Sequence, residues 1–197
     1  MSRIVRFHAV GEADVLKIED LPPAAPGPGE VRLKVEAIGL NRAEAMFRRG
    51  MYLENPELPS RLGYEAAGVV DDVGPGVEGV RAGDRVSTIP SFSQGRYGVY
   101  GDWAVVPARA AAPYPAKLST QEGAAVWMAY LTAYGALVEI GRMEKSHTVL
   151  MTAGSSSVGL AALQIVRAAG ARALVTTRRR DKRAFLQEMG ADEVIVT

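Results

Sequence analysis

The sequence predicts an α/β chain in two parts. A β-barrel-like domain spans residues 1–118, and the first half of a doubly wound parallel sheet with helices on both faces spans 119–197. Three observations carry this reading. All 11 prolines lie at or before Pro115, so a turn-rich region gives way to long uninterrupted elements. The segment Val31-Arg32-Leu33-Lys34-Val35-Glu36-Ala37 alternates strictly, as an antiparallel strand with one buried face must. Beyond Ser119, short apolar runs alternate with helical stretches of about ten to fifteen residues, the grammar of parallel βαβ units with right-handed crossovers.

Taken in order, the strand candidates of the first part are Ile4 to Val10, Val31 to Ala37, Gly68 to Val73, Arg85 to Ile89 and Trp103 to Val106. Turns such as Gly27-Pro28-Gly29 and Gly74-Pro75-Gly76 separate them. Ser119-Thr120-Gln121-Glu122 has the form of a capping box and predicts one helix running to about Ile140. A strand at His147 to Ala153, a helix at Ser157 to Ala169, a strand at Ala173 to Thr177, a helix at Asp181 to Met189 and a strand at Glu193 to Thr197 follow. Val149-Leu150-Met151 is an unbroken apolar run, expected of a strand covered on both faces. As the first strand of such a sheet it belongs at the centre. We therefore expect the native polypeptide to run well beyond residue 197, and these residues alone to be inactive and prone to self-association through an open strand edge.

Composition narrows the function. Lys+Arg 23 against Asp+Glu 22 leaves a net charge of +1, so no basic surplus points to nucleic acid or a membrane surface. The absence of cysteine excludes disulfides, thiolate zinc, iron–sulfur clusters and a cysteine nucleophile. His8 and His147 are too few for a zinc site built on imidazole. Arg3 and Arg6 interrupt what would be a signal peptide's apolar run, and no later stretch reaches the ~18 uncharged apolar residues of a spanning helix. A cytoplasmic protein is expected.

Between the first strand of the second part and its helix stands Ala153-Gly154-Ser155-Ser156-Ser157-Val158-Gly159. On the dinucleotide fingerprint, Gly154 takes the tight-turn glycine place and Gly159 the place that lets the helix pack closely. Ser156 stands where a glycine usually lets the backbone approach a pyrophosphate. Amides at that helix N-terminus, with three serine hydroxyls, suit a phosphate; an ordinary serine-rich N-cap is the bland alternative. About twenty residues on, where an NAD site would carry an acid for the ribose, the chain reads Thr176-Thr177-Arg178-Arg179-Arg180, and Lys182 follows. Arg178 and Lys182 offer donors to a 2′-phosphate, so NADP(H) is expected over NAD. A solvated basic helix start fits Arg179 and Arg180 better than Arg178.

Several segments, in order and spacing, resemble the medium-chain dehydrogenase/reductase superfamily, and within it the zinc-independent quinone oxidoreductase (zeta-crystallin-like) branch. They are Asn41-Arg42-Ala43-Glu44, Gly63-Tyr64-Glu65-Ala66-Ala67-Gly68-Val69-Val70, Gly83-Asp84-Arg85-Val86, Tyr130-Leu131-Thr132-Ala133-Tyr134 and Ser155-Ser156-Ser157-Val158-Gly159-Leu160. The resemblance runs the length of the chain and is most specific from Gly63 to Val86. It implies a GroES-like catalytic domain followed by a Rossmann domain, with substrate and nicotinamide meeting in the cleft between them. It also implies a homodimer for the full-length protein. In zinc-dependent members a Cys corresponds to Asn41 and a His to Tyr64, so both zinc sites are expected to be missing. Two positions depart from the family pattern: serines occupy places 156 and 157, and Met46 stands where a tyrosine is frequent, with Tyr52 the later tyrosine of that segment.

The implied chemistry is hydride delivery from NADPH to an acceptor that is already electrophilic, a quinone or an α,β-unsaturated carbonyl, with the protein positioning and polarising it. The resemblance assigns the Asn41 amide, Tyr52 and Tyr64 to the substrate side and Thr132 to the nicotinamide. Thr177 joins Gly154, Ser155, Ser156, Ser157, Val158, Gly159, Arg178 and Lys182 on the cofactor side. Packing under a loop is the alternative for the tyrosines, and a hydroxyl bonded to its own helix is the alternative for Thr132. Glu65 reads as a paired structural acid. An enoyl-thioester or other activated-alkene reductase, or a non-catalytic NADPH-binding protein with a sensor or crystallin-like role, stays open beside the quinone reading.

Overall fold

A computed structural model describes all 197 residues, Met1–Thr197. The chain forms two compact units, Met1–Trp127 and Met128–Thr197.

In the first unit, strand β1 (Ser2–Phe7) pairs antiparallel with β2 (Leu16–Leu21), joined by a short 3-10 turn at Ala13–Val15. Strand β3 (Glu30–Ile38) leads into helix α1 (Arg42–Arg48), and β4 (Ala66–Val73) and β5 (Arg85–Thr88) follow. The short helix α2 (Gln94–Tyr97) precedes β6 (Trp103–Pro107) and β7 (Ala111–Pro113). A five-stranded antiparallel sheet results, in the order β6-β3-β4-β5-β7. β3 sits between β4 and β6 because its alternation puts Val31 and Leu33 fully inside while Lys34 and Glu36 stay wet. The core packs Phe7, Phe47, Leu62, Val70, Val86 and Val106 around those two, with Phe7 and Phe47 edge to face at 5.9 Å.

β1 ends at Phe7, short of the expected Val10, because Ile4 and Phe7 are buried in the core while His8 and the two residues after it are exposed. β2 is held by cross-strand contacts, Arg6 to Glu19 at 3.0 Å among them, and its Ile18 faces water. β7 is three residues paired to β5.

The capping box at Ser119 forms as expected: the Ser119 N–H donates to Glu122 Oε2 at 2.8 Å and the Glu122 N–H to Ser119 Oγ at 3.2 Å. The helix it starts is not continuous to Ile140. α3 (Thr120–Ala125) stops at Val126, α4 (Trp127–Tyr134) begins anew, and Gly135–Ile140 widens into a π-helical stretch. The break coincides with the division between units. Trp127 is pinned by its Nε1–H to the buried Ser87 hydroxyl at 2.8 Å, and α3 packs on β3, β4 and β5.

In the second unit, β8 (Thr148–Met151), α5 (Ser157–Ala169), β9 (Arg172–Thr177), α6 (Arg183–Glu188) and β10 (Glu193–Val196) form a parallel sheet in the order β10-β9-β8. A 3-10 turn, Arg180–Lys182, precedes α6. Ala173, Val175 and Val194 point at Leu163 and Val166 of α5 and Leu186 of α6. Leu150 points to the other face and is 61% exposed. In the run Val149-Leu150-Met151, Val149 and Met151 are half-buried against the core while Leu150, on the opposite face, is exposed.

Candidate functional site

The first group of functional side chains is built on the start of α1. Asn41 has extended backbone and caps the helix; its side chain accepts from the Glu44 amide while Glu44 Oε2 accepts the Asn41 N–H at 2.9 Å. The other end of the Asn41 side chain is also tied, Nδ2 donating to Glu65 Oε2 at 2.7 Å. An amide held at both ends has a defined orientation. Glu44 is 3% exposed, and its Oε1 accepts the Tyr64 N–H at 3.2 Å, so one buried carboxylate links Asn41 to Tyr64. Burial pushes the Glu44 carboxyl upward, opposed by these backbone donors.

Tyr64 stands in a row of aromatic rings, 6.4 Å from Tyr52 and 5.9 Å from Phe92, which lies 6.1 Å from Tyr97. Desolvation raises the Tyr64 hydroxyl well above the usual phenol range, reinforced by Tyr52 and Glu54, so it is a neutral donor at any working pH. Beside the row, Gln94 is fully buried; its Oε1 accepts the Gly63 N–H at 3.3 Å and its Nε2 has no partner.

The second group surrounds the end of β8. The Gly154 N–H donates to the Thr176 carbonyl at 2.9 Å, and a Cβ on Gly154 would meet Val175 Cβ at 2.7 Å. A Cβ on Gly159 would sit 2.6 Å from the Gly154 carbonyl oxygen. The two glycines therefore permit two close backbone approaches. The left-handed residue of the turn is Ala153, at φ 50°, although the fingerprint assigns the turn to Gly154. Ser156 fits the second glycine place in extended conformation, and its Oγ caps α5 by accepting the Gly159 N–H at 3.1 Å. Ser157 and Val158 open the helix with their amides free of intrahelical partners.

Across from this turn, Thr177 is buried and its Oγ1 accepts the Arg179 N–H at 3.2 Å. Lys182 Nζ donates to Ser155 Oγ at 2.9 Å. Arg179 is tied to Asp181 by a two-point contact that lowers the carboxyl and raises the guanidinium. Arg178 is exposed and makes no ion pair. Ser155, Thr177, Arg178 and Lys182 line a cavity of about 380 Å³ together with the turn. Of the expected residues, Gly154, Ser155, Thr177, Arg178 and Lys182 are thus brought together, as are Asn41, Tyr64 and Tyr52. Thr132 spends its hydroxyl within its own helix, donating to the Met128 carbonyl at 2.6 Å.

Three contributors are not among the residues expected from sequence. Glu44 could have been found, since Asn41-x-x-Glu44 is itself a capping-box pattern. Phe92 and Gln94 carry no local signal and are recognised only by what surrounds them.

No helix is long and apolar enough to cross a membrane, and no group of three or more metal-ligating side chains forms. A model of the alcohol dehydrogenase GroES-like domain matches residues 27–116. The chain is 37% identical over 195 residues to the rat "Synaptic vesicle membrane protein VAT-1 homolog", covering 98% of this chain and 47% of that protein. It is 35% identical over 195 residues to Quinone oxidoreductase 1 of Escherichia coli, covering 99% and 58%. The crystal structure of Escherichia coli quinone oxidoreductase complexed with NADPH superposes with a TM-score of 0.88 at 34% identity, over 99% of this chain and 58% of that one. The chain spans about half the length of the curated relatives it matches. Order of elements, the capped Asn41, the glycine-and-serine turn and these similarities converge: the chain carries an alcohol dehydrogenase GroES-like region and along its whole length is similar to quinone oxidoreductases of the medium-chain dehydrogenase/reductase superfamily.

Proposed function

We propose that this chain carries the NADPH site and the acceptor-side residues of an oxidoreductase that passes hydride to a quinone or an α,β-unsaturated carbonyl. The observation that carries the proposal is the cavity at the end of β8 and β9, lined by Ser155 of the turn that leads into α5 and by Arg178 and Lys182, with no acid at the ribose position. The residues fit the cofactor. The free Ser157 and Val158 amides suit the pyrophosphate, and Arg178 and Lys182 suit a 2′-phosphate. Bound there, NADPH supplies the hydride. The relatives named quinone oxidoreductase, one of them solved with NADPH, support the same reading.

The chain's own residues position and polarise. The Asn41 amide polarises the acceptor carbonyl, where negative charge grows, and its tethers remove the cost of orienting it at that moment. Tyr64, kept neutral by its burial, is a second donor, and Tyr52 packs beside it. Because a quinone or enone spreads the incoming charge over an enolate-like system, water suffices as the proton source, and no metal Lewis acid is required.

Steady-state NADPH oxidation by the full-length protein with a panel of small quinones and enones tests this. Acceptor-dependent oxidation, faster with NADPH than NADH and with no stoichiometric zinc by elemental analysis, is expected. NADPH binding without turnover on any acceptor would favour a sensor or structural role.

A further inference from the structure

The four cations that follow β9 are not equivalent. Arg179 is neutralised by Asp181, two residues on. Arg178 and Arg180 extend into solvent. Lys182 alone is held by a neutral partner: its ammonium crosses 27 positions of sequence to reach the Ser155 hydroxyl at 2.9 Å, in the wall of the cavity. A hydroxyl fixes an ammonium without cancelling its charge. An ammonium has three donors, so the contact leaves two for another ligand. Ser155 accepts from Lys182 through a lone pair, and its own O–H stays available as a donor.

We infer that Ser155 is a positioning residue for 2′-phosphate selectivity: it holds Lys182 at the cavity in the absence of ligand, so the lysine does not have to be ordered when a 2′-phosphorylated nucleotide binds. This rests on the NADPH reading of the site. Lysine carries one of the largest rotamer entropies of any side chain, and immobilising it during binding weakens affinity. Asp181 completes the arrangement by withdrawing Arg179 from competition for the same phosphate. Discrimination then falls on Arg178, an exposed fork, and Lys182, a point charge held in place.

The test is calorimetric binding of two fragments, 2′,5′-ADP and 5′-AMP, to the purified full-length protein, with no turnover involved. The parent is expected to prefer 2′,5′-ADP. Ser155→Ala is expected to lower the affinity for 2′,5′-ADP by about threefold to tenfold more than that for 5′-AMP, the scale of ordering one long side chain. Ser155→Thr, which keeps the hydroxyl, should restore the preference. An unaltered preference in Ser155→Ala overturns the inference and leaves the NADPH reading standing. An equal loss for both fragments assigns Ser155 to the shape of the loop and also overturns it. A parent that does not distinguish the fragments overturns the NADPH reading and this inference together.

Discussion

The two groups of candidate site residues handle charge in opposite ways. At the start of α1, the acids Glu44 and Glu65 are 3% and 2% exposed and are committed to fixed donors, among them the Asn41 and Tyr64 backbone amides and the Asn41 side chain. At the end of β9 the charges are cationic and mostly exposed; one is neutralised, one is held by a hydroxyl and others are free. A buried, saturated network makes a rigid donor whose geometry survives salt and solvent. An open cationic rim gives attraction to an anion and keeps its charge uncommitted until the anion arrives. Substrate polarisation asks for the first arrangement and phosphate capture for the second.

The largest expected effect breaks the buried network. Glu44→Ala leaves the Asn41 and Tyr64 amides without an acceptor inside the protein, which costs about 3 kcal/mol of stability at one to two kcal/mol per orphaned donor. Denaturant unfolding measures it, and a loss below about 1 kcal/mol would mean that water reaches these amides. The same group sets a pH dependence. Its folded pKa is raised by burial, so its contribution is fully present below the unfolded carboxyl pKa and is lost as pH rises through the folded one. The parent should therefore gain stability relative to Glu44→Gln as pH falls through the weakly acidic range.

Next is Asn41→Ala. If the tethered amide polarises the acceptor, kcat falls by about tenfold to a hundredfold, or about 1.4 to 2.7 kcal/mol, while NADPH affinity holds. A wild-type kcat would remove Asn41 from the mechanism and leave it only as a helix cap.

On the open rim, Arg178→Glu should cost about tenfold or more in the preference for NADPH over NADH, because a donor to phosphate becomes a repelling charge. Removing the neutral pair with Arg179→Gln and Asp181→Asn together should shift the preference by less than about twofold, and raised salt should shrink the Arg178 effect. Equal responses at 178 and 179 would contradict the division between free and neutralised cations.

The smallest effect concerns the turn. Ala153 holds φ 50°, a conformation that costs a residue with a Cβ about 1 kcal/mol. Ala153→Gly should recover up to about that amount in thermal unfolding, less the extra chain entropy of glycine. Destabilisation would show that the alanine methyl packs more than the turn strains.

Elements whose own residues carry their reason are legible in the sequence. The alternation of β3, the helix at Ser157–Ala169 and the β9 to Arg178 junction read correctly, because period and charge are local properties. β2 and β7 are not legible there. Leu16–Leu21 turns Ile18 to water and depends on a cross-strand ion pair, and Ala111–Pro113 has no strand propensity and exists because β5 pairs with it. The break at Val126 is hidden for the same reason, since the anchor for Trp127 is Ser87, forty positions earlier.

The candidate site divides along the same line. The sequence alone determined which chemistries are possible: no cysteine, two histidines, a serine-bearing phosphate turn, and basic residues where an acid would otherwise read the ribose. Tertiary structure decided which of those residues are available. It tied Asn41 to Glu65 across 24 positions, hid Gln94 beside Tyr64, cancelled Arg179 with Asp181 and brought Lys182 to Ser155. Residue type fixes what a group can donate, accept or carry. Whether a donor or charge is spent or left over depends on which partners the folded chain places within about 3 Å, and most of those partners are distant in sequence.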